Sequence, residues 1–243
     1  MIVQWLELAF ALYLVVILPG QKLWQSLQPA KGPERPRLPA YRNSTIRIVI
    51  LLAILAALMW WSGRPAAALG LALPLSAAGA WGVAVAFTLF AVMSGGGWLW
   101  ERKLQGEKLA EYQTKLEKAS ASMPQTKQEL KAFLLLSIFI GCGWELLYRG
   151  FLMMVLTPVT GTASAVALAA VAYGAAHGYQ SRGQFIGSIV AALLFTIGYV
   201  ATGSLWWLML LHTLLPVHAA SSYYRQKQRG MAAAGIAPAA ESA

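Results

Sequence analysis

The stretch AFLLLSIFIGCGWELLYRGFLMMVLTP, Ala132 to Pro158, decides the class of fold. Only two of its side chains, Glu145 and Arg149, are charged. A hydrocarbon core of ~30 Å asks for roughly 20 apolar residues per helix, so this stretch is long enough to cross a bilayer. Working outward, comparable apolar windows lie at 2–19, 48–63, 79–98, 162–178, 184–200 and 205–221. The expectation is an all-α polytopic transmembrane bundle of about seven spans. Pro65–Ser76 is apolar but short and contains Pro74, and reads as an interfacial or re-entrant piece. The first run has no basic stretch before it and no small-residue cleavage site, and reads as a retained helix.

Composition agrees. The chain of 243 residues is 58% hydrophobic and 12% charged, with a mean hydropathy of +0.57. Soluble domains carry about a quarter charged residues. The basic side chains gather in Lys22–Arg47 (six), Arg102–Lys131 (seven) and Arg225–Arg229 (three). Seven spans put these, with Arg182, on one face and only Arg64 on the other. The positive-inside rule makes the basic face cytoplasmic, with the N-terminus outside and the C-terminus inside the cell membrane. The net charge of +10 then needs no nucleic acid, because juxtamembrane basic loops meet anionic lipid headgroups.

Residues 1–131 read as N-terminal membrane helices with a basic loop. Glu101–Lys131 carries Leu109, Tyr112 and Leu116 at helical spacing, an amphipathic surface helix broken near Pro124. Residues 132–224 form a membrane core, and 225–243 a disordered tail.

The chemistry is limited by what is missing. The chain has one cysteine, Cys142, and no aspartate. That excludes a disulfide framework, a thiolate metal cluster and paired-aspartate proteolysis. An ion pair near a bilayer centre is costly, so Glu145 and Arg149 mark either a structural stitch or a functional site. Their spacing of four puts them on one helix face. All three histidines, His177, His212 and His218, fall in or at the ends of apolar windows. His177 and His212 with Glu145 and Arg149 suggest one polar cavity. No H-E-x-x-H spacing is present for zinc, and no metal or other cofactor is expected. Depth is compatible: Glu145 lies 14 residues past Lys131 and His212 8 past Ser204, about 21 Å and 12 Å from opposite faces. Ser204 could serve a Ser–His protease, but at a helix start it reads first as an N-cap. A transporter using Glu145 for ion coupling is a further alternative, without a symmetric pair of broken helices to support it.

The run Trp144-Glu145-Leu146-Leu147-Tyr148-Arg149-Gly150 resembles the first motif, E-E-x-x-x-R, of the CAAX protease and bacteriocin-processing (Abi) family. Tyr173-Gly174-Ala175-Ala176-His177 resembles its second motif, an aromatic four residues before His. His212 within Trp206–Pro216 resembles its third, His four residues before Asn or Asp. The resemblance covers roughly Ser137–Tyr224. It implies a metal-independent intramembrane endopeptidase acting on a membrane-embedded or lipid-modified peptide. It further implies that the first Glu and His177 activate water, that His212 stabilises the oxyanion, and that Glu145 and Arg149 organise the site. Two positions depart from the pattern: Trp144 stands for the first Glu and Pro216 for Asn or Asp. A non-catalytic relative that binds such a peptide is the alternative.

Overall fold

A computed structural model describes residues 2–28, 36–118 and 123–233. Among them every regular element is a helix, with no strand. The long helices are α1 (Ile2–Leu27), α2 (Arg37–Ser62), α3 (Ala77–Lys103) and α5 (Lys127–Thr160). A surface helix α4 (Gly106–Lys118) precedes α5, and α6 (Thr162–Ala176), α7 (Arg182–Thr202) and α8 (Trp206–Ala233) follow it.

Local chemistry sets the boundaries. Ser76 and Ser181 cap α3 and α7, their hydroxyls accepting from Gly79 N and Gln184 N at 3.1 and 3.2 Å. Thr126 and Glu129 close a capping box on α5. Gly63 and Gly203 end α2 and α7 in the left-handed region, at φ +65° and +62°, where a Cβ would be strained. Two helices widen into π turns, α1 over Tyr13–Ile17 and α5 over Leu146–Phe151.

The surface is inverted relative to a soluble bundle. Trp60, Trp81 and Leu73 are 89%, 72% and 72% exposed, while the charged pair Glu145 and Arg149 is fully buried. Exposed apolar surface on this scale needs lipid to cover it. The protein is a multi-pass membrane protein. The core forms where α5 passes through the bundle, with Leu147, Tyr148, Phe151 and Leu152 fully buried against Leu14 of α1 and Ala165 and Ala169 of α6. Helix α5 also packs on α2 and α8, α6 on α7, and α3 on α8.

Contacts at the helix ends sort the two faces. On one, Tyr179 N donates to Ser26 Oγ at 2.8 Å, Gln125 Nε2 to Tyr223 OH at 2.6 Å and Gln226 Nε2 to Glu101 Oε2 at 3.0 Å. This end carries the basic segments. On the other, Leu205 N donates to Gly70 O at 3.0 Å. There Arg64 grips Glu7 through two nitrogens at 3.0 and 3.1 Å. The basic residue that breaks the charge bias is thus neutralised by a half-buried pair.

Several expectations need adjustment. Each of the seven apolar windows falls mainly on a helix, and among the described residues five helices are long and apolar enough to cross a bilayer: α1, α2, α3, α5 and α7. Helix α6 has 15 residues, about 22 Å of rise, short of ~30 Å. Helix α8 mixes its apolar half with Arg225, Lys227 and Arg229. The tail does not become irregular at Arg225, because α8 continues to Ala233 and buries Gln226. Residues 234–243 lie outside the described ones. Ser204 is not a helix cap: Leu205 O accepts the first bond of α8, from Met209 N at 2.9 Å, and Ser204 Oγ is buried without a partner among the described residues. Pro65–Ser76 forms a 3₁₀ turn, Ala66–Leu69, and loops. The surface helix is α4 alone, since Glu101 belongs to α3, and the side chain of Leu116 lies outside the described residues.

Candidate functional site

Glu145 ends the regular part of α5, immediately before the π turn Leu146–Phe151. An i→i+5 turn inside a helix re-aims the side chains that follow it. Gly150 in this turn lets the Ala66–Leu69 loop approach, because a Cβ there would stand 3.1 Å from Leu69 O. Arg149 lies within the turn and donates through Nη1 to Glu145 Oε1 at 3.0 Å. Helix α7 holds the rest of the guanidinium: Nε donates to Thr196 Oγ1 at 3.3 Å and Nη2 to Ala192 O at 3.4 Å. Above its plane lies the Tyr173 ring, 4.0 Å from Cζ. A guanidinium is planar and forked, and here each edge and one face has a partner.

His212 reaches the same carboxylate from α8, its Nδ1 2.6 Å from Glu145 Oε1. In the neutral imidazole with its proton on Nδ1, Nε2 is the acceptor. The Tyr173 hydroxyl lies 2.9 Å from Nε2 and in that tautomer donates to it. Glu145, His212 and Tyr173 therefore form one relay, carboxylate to imidazole to phenol. The other carboxylate oxygen, Oε2, is buried without a hydrogen-bond partner among the described residues.

His177 stands apart from that relay, at the end of α6 and one turn beyond Tyr173. Its Nδ1 donates to Tyr173 O at 2.9 Å, which leaves Nε2 with a free lone pair. The two rings meet edge to face at 4.7 Å. Tyr173 and His177 share a wall of a cavity of about 590 Å³, with Trp144 and Ile140 of α5 beside them. Its rim carries Lys22, Gln25, Asn43, Ser44 and Arg47 from α1 and α2.

The four residues picked out in the sequence are thus assembled, but on two levels. Glu145, Arg149 and His212 touch directly and lie behind the Tyr173 ring. His177 faces the cavity. Trp144, not Glu145, lines that cavity, since adjacent helix positions point about 100° apart. Pro216 lies one turn beyond His212 and has no N–H to donate. His218 lies elsewhere, its ring edge-on to Phe90 at 6.1 Å.

Sequence reasoning overlooked the polar role of Tyr173, whose hydroxyl was the available signal. It also overlooked Thr196, an unremarked threonine in an apolar helix. Among the described residues, no three His, Cys, Asp or Glu side chains gather as a metal-binding group.

A polytopic helical bundle with a buried Glu–Arg–His cluster behind a cavity defines a multi-pass membrane protein with a buried polar site. Residues 126–217 match the family model described as Type II CAAX prenyl endopeptidase Rce1-like. The match runs from the cap of α5 into α8 and holds Glu145, Arg149, His177 and His212. The match covers less than half of the chain, and over that part this membrane core is similar to the CAAX prenyl endopeptidase family. No curated protein and no solved structure matches the chain.

Proposed function

We propose that this protein is an intramembrane endopeptidase that hydrolyses a peptide bond of a membrane-associated or lipid-modified substrate without a metal. The observation that carries the reading is the pairing of His177, with a free Nε2, and Tyr173, tied to Glu145 through His212, on one cavity wall. In this mechanism His177 Nε2 takes a proton from water as the water oxygen attacks the scissile carbonyl. Tyr173 turns its hydroxyl from His212 to the developing oxyanion, in the place that an Asn at position 216 would serve. The C–N bond then breaks, and His177 returns its proton to the departing amine. Glu145 and Arg149 touch no reacting atom and act as positioning residues: they fix the tautomer of His212 and the plane of the Tyr173 ring.

The basic end of the bundle is the cytoplasmic one, and its loops meet anionic lipid headgroups. Neither the substrate nor the fold calls for nucleic acid.

Trp144 favours a second reading, a non-catalytic relative that holds such a peptide. Its indole occupies the cavity wall where the family pattern has a carboxylate, and Glu145 is sealed off from that cavity. Incubating the purified chain in liposomes with a membrane-anchored peptide separates the two. The endopeptidase cleaves in the presence of a chelator and loses cleavage in His177→Ala. A peptide that binds at the cavity and stays intact over long incubation establishes the second reading.

A further inference from the structure

A second polar pocket lies away from this site, at the basic end, where the last turns of α3 meet the C-terminal half of α8. It has a volume of about 370 Å³ and is lined by Trp98, Glu101, Arg102, Arg225, Gln226 and Arg229. Glu101 is only 5% exposed, and its charge is already engaged. Oε1 accepts from the Ser222 hydroxyl and from Tyr112 OH, the latter at 3.2 Å. Oε2 accepts from Gln226 Nε2 at 3.0 Å and pairs with Arg225 Nη2 at 3.8 Å. Arg229 Nη1 donates to Glu101 O at 3.2 Å and to Gln226 Oε1 at 3.4 Å. Arg102 stacks on Trp98, Cζ to ring centroid 4.4 Å.

Three guanidiniums therefore line one pocket with a single carboxylate, and Glu101 engages two of them, Arg225 through its carboxylate and Arg229 through its main-chain carbonyl. The carbonyl end of α3 would repel an anion, but Arg229 covers Glu101 O and offsets it. Fixed guanidiniums with spare N–H groups match the oxygens of a phosphate. Val92, Met93, Leu99 and Trp100, on the outer face of the same end of α3, are 68%, 56%, 54% and 54% exposed and apolar, a surface for lipid chains beside the pocket. Trp98 lines the pocket itself, and indoles favour the membrane interface.

We infer that this pocket is a binding site for the phosphate headgroup of an anionic phospholipid. The inference rests on the reading that the basic end meets the headgroup layer, and it is independent of peptide cleavage. Clustered basic side chains at the cytoplasmic end of helices recognise such headgroups, each cation contributing about a fivefold gain in affinity.

The test uses the full chain in mild detergent, titrated with phosphatidylglycerol or phosphatidylcholine and read by native mass spectrometry. Wild type retains phosphatidylglycerol over phosphatidylcholine. Arg102→Gln weakens retention about fivefold, and Arg225→Gln with Arg229→Gln weakens it further. Arg182→Gln, on the same basic face but outside the pocket, leaves it unchanged. Arg102 makes no bond to Glu101, so that variant decides the matter even if the double variant does not fold. Equal loss in Arg182→Gln would mean diffuse attraction to a charged surface and would overturn the site. Complete displacement of the lipid by millimolar inorganic phosphate would make the ligand a free anion and overturn the lipid assignment.

Discussion

His212 Nδ1 lies 2.6 Å from Glu145 Oε1, although the two residues are 67 positions apart in the chain. That contact ties α8 to α5 through the same oxygen that holds Arg149. It fixes which imidazole nitrogen faces Tyr173, and so decides what the buried carboxylate can do.

Arg149 is expected to be the more sensitive half of its ion pair. Arg149→Ala leaves Glu145 buried and strips bonds from Thr196 and Ala192 O. Breaking a buried pair in this way costs roughly 3–5 kcal/mol. Glu145→Gln keeps a hydrogen-bonding group without the charge and should cost less. Thermal unfolding in detergent checks the order; equal midpoints for wild type and Arg149→Ala would mean the pair contributes nothing.

Tyr173→Phe separates the hydroxyl from the ring. The ring stays over Arg149 and against His177, so folding should weaken by only about 1 kcal/mol, the value of one hydrogen bond. Turnover should fall by about 10²–10³, the usual cost of an oxyanion donor. Unchanged kcat with a normal melting curve would remove Tyr173 from the chemistry.

Trp144→Glu should bring a carboxylate into the cavity beside His177. With Pro216→Asn it restores the family pattern at both departures. If His177 works alone at present, cleavage should rise above wild type. If wild type is a binder only, cleavage should appear for the first time. A double variant that folds, binds peptide and still leaves it intact would count against any hydrolytic role.

Gly141→Ala tests the closest crossing of α5 and α8. A Cβ at 141 would stand 2.7 Å from Thr213 Cα, one residue from His212. Backbone cannot yield as a side chain tip can, so overpacking should cost ~3 kcal/mol or more. Gly174→Ala should behave alike, against Ile189 Cα at 2.8 Å. Wild-type yield and melting temperature for both variants would show that the helices do not approach so closely.

Topology is open to labelling in a Cys142→Ser background. Lys108→Cys in α4 should be reached only from the cytoplasm, and Thr160→Cys at the end of α5 only from outside. Labelling of position 108 but not of 160 by an impermeant reagent added outside would reverse the orientation.

The sequence alone determined the membrane class and the Glu145–Arg149 pair, because hydropathy and a spacing of four are local properties that any helix expresses. It also marked His177 and His212 as polar groups in apolar runs. It could not decide that His212 joins Glu145, that Tyr173 links them to the cavity wall, or that Trp144 faces that cavity instead of Glu145. Those outcomes depend on how α5, α6 and α8 rotate and cross. Gly141 sets the crossing of α5 and α8, Gly174 that of α6 and α7, and the π turn after Glu145 re-aims α5. The Glu7–Arg64 pair, between residues 57 positions apart, has the same origin. No local pattern encodes which distant helix face supplies the partner, because only packing brings the two together.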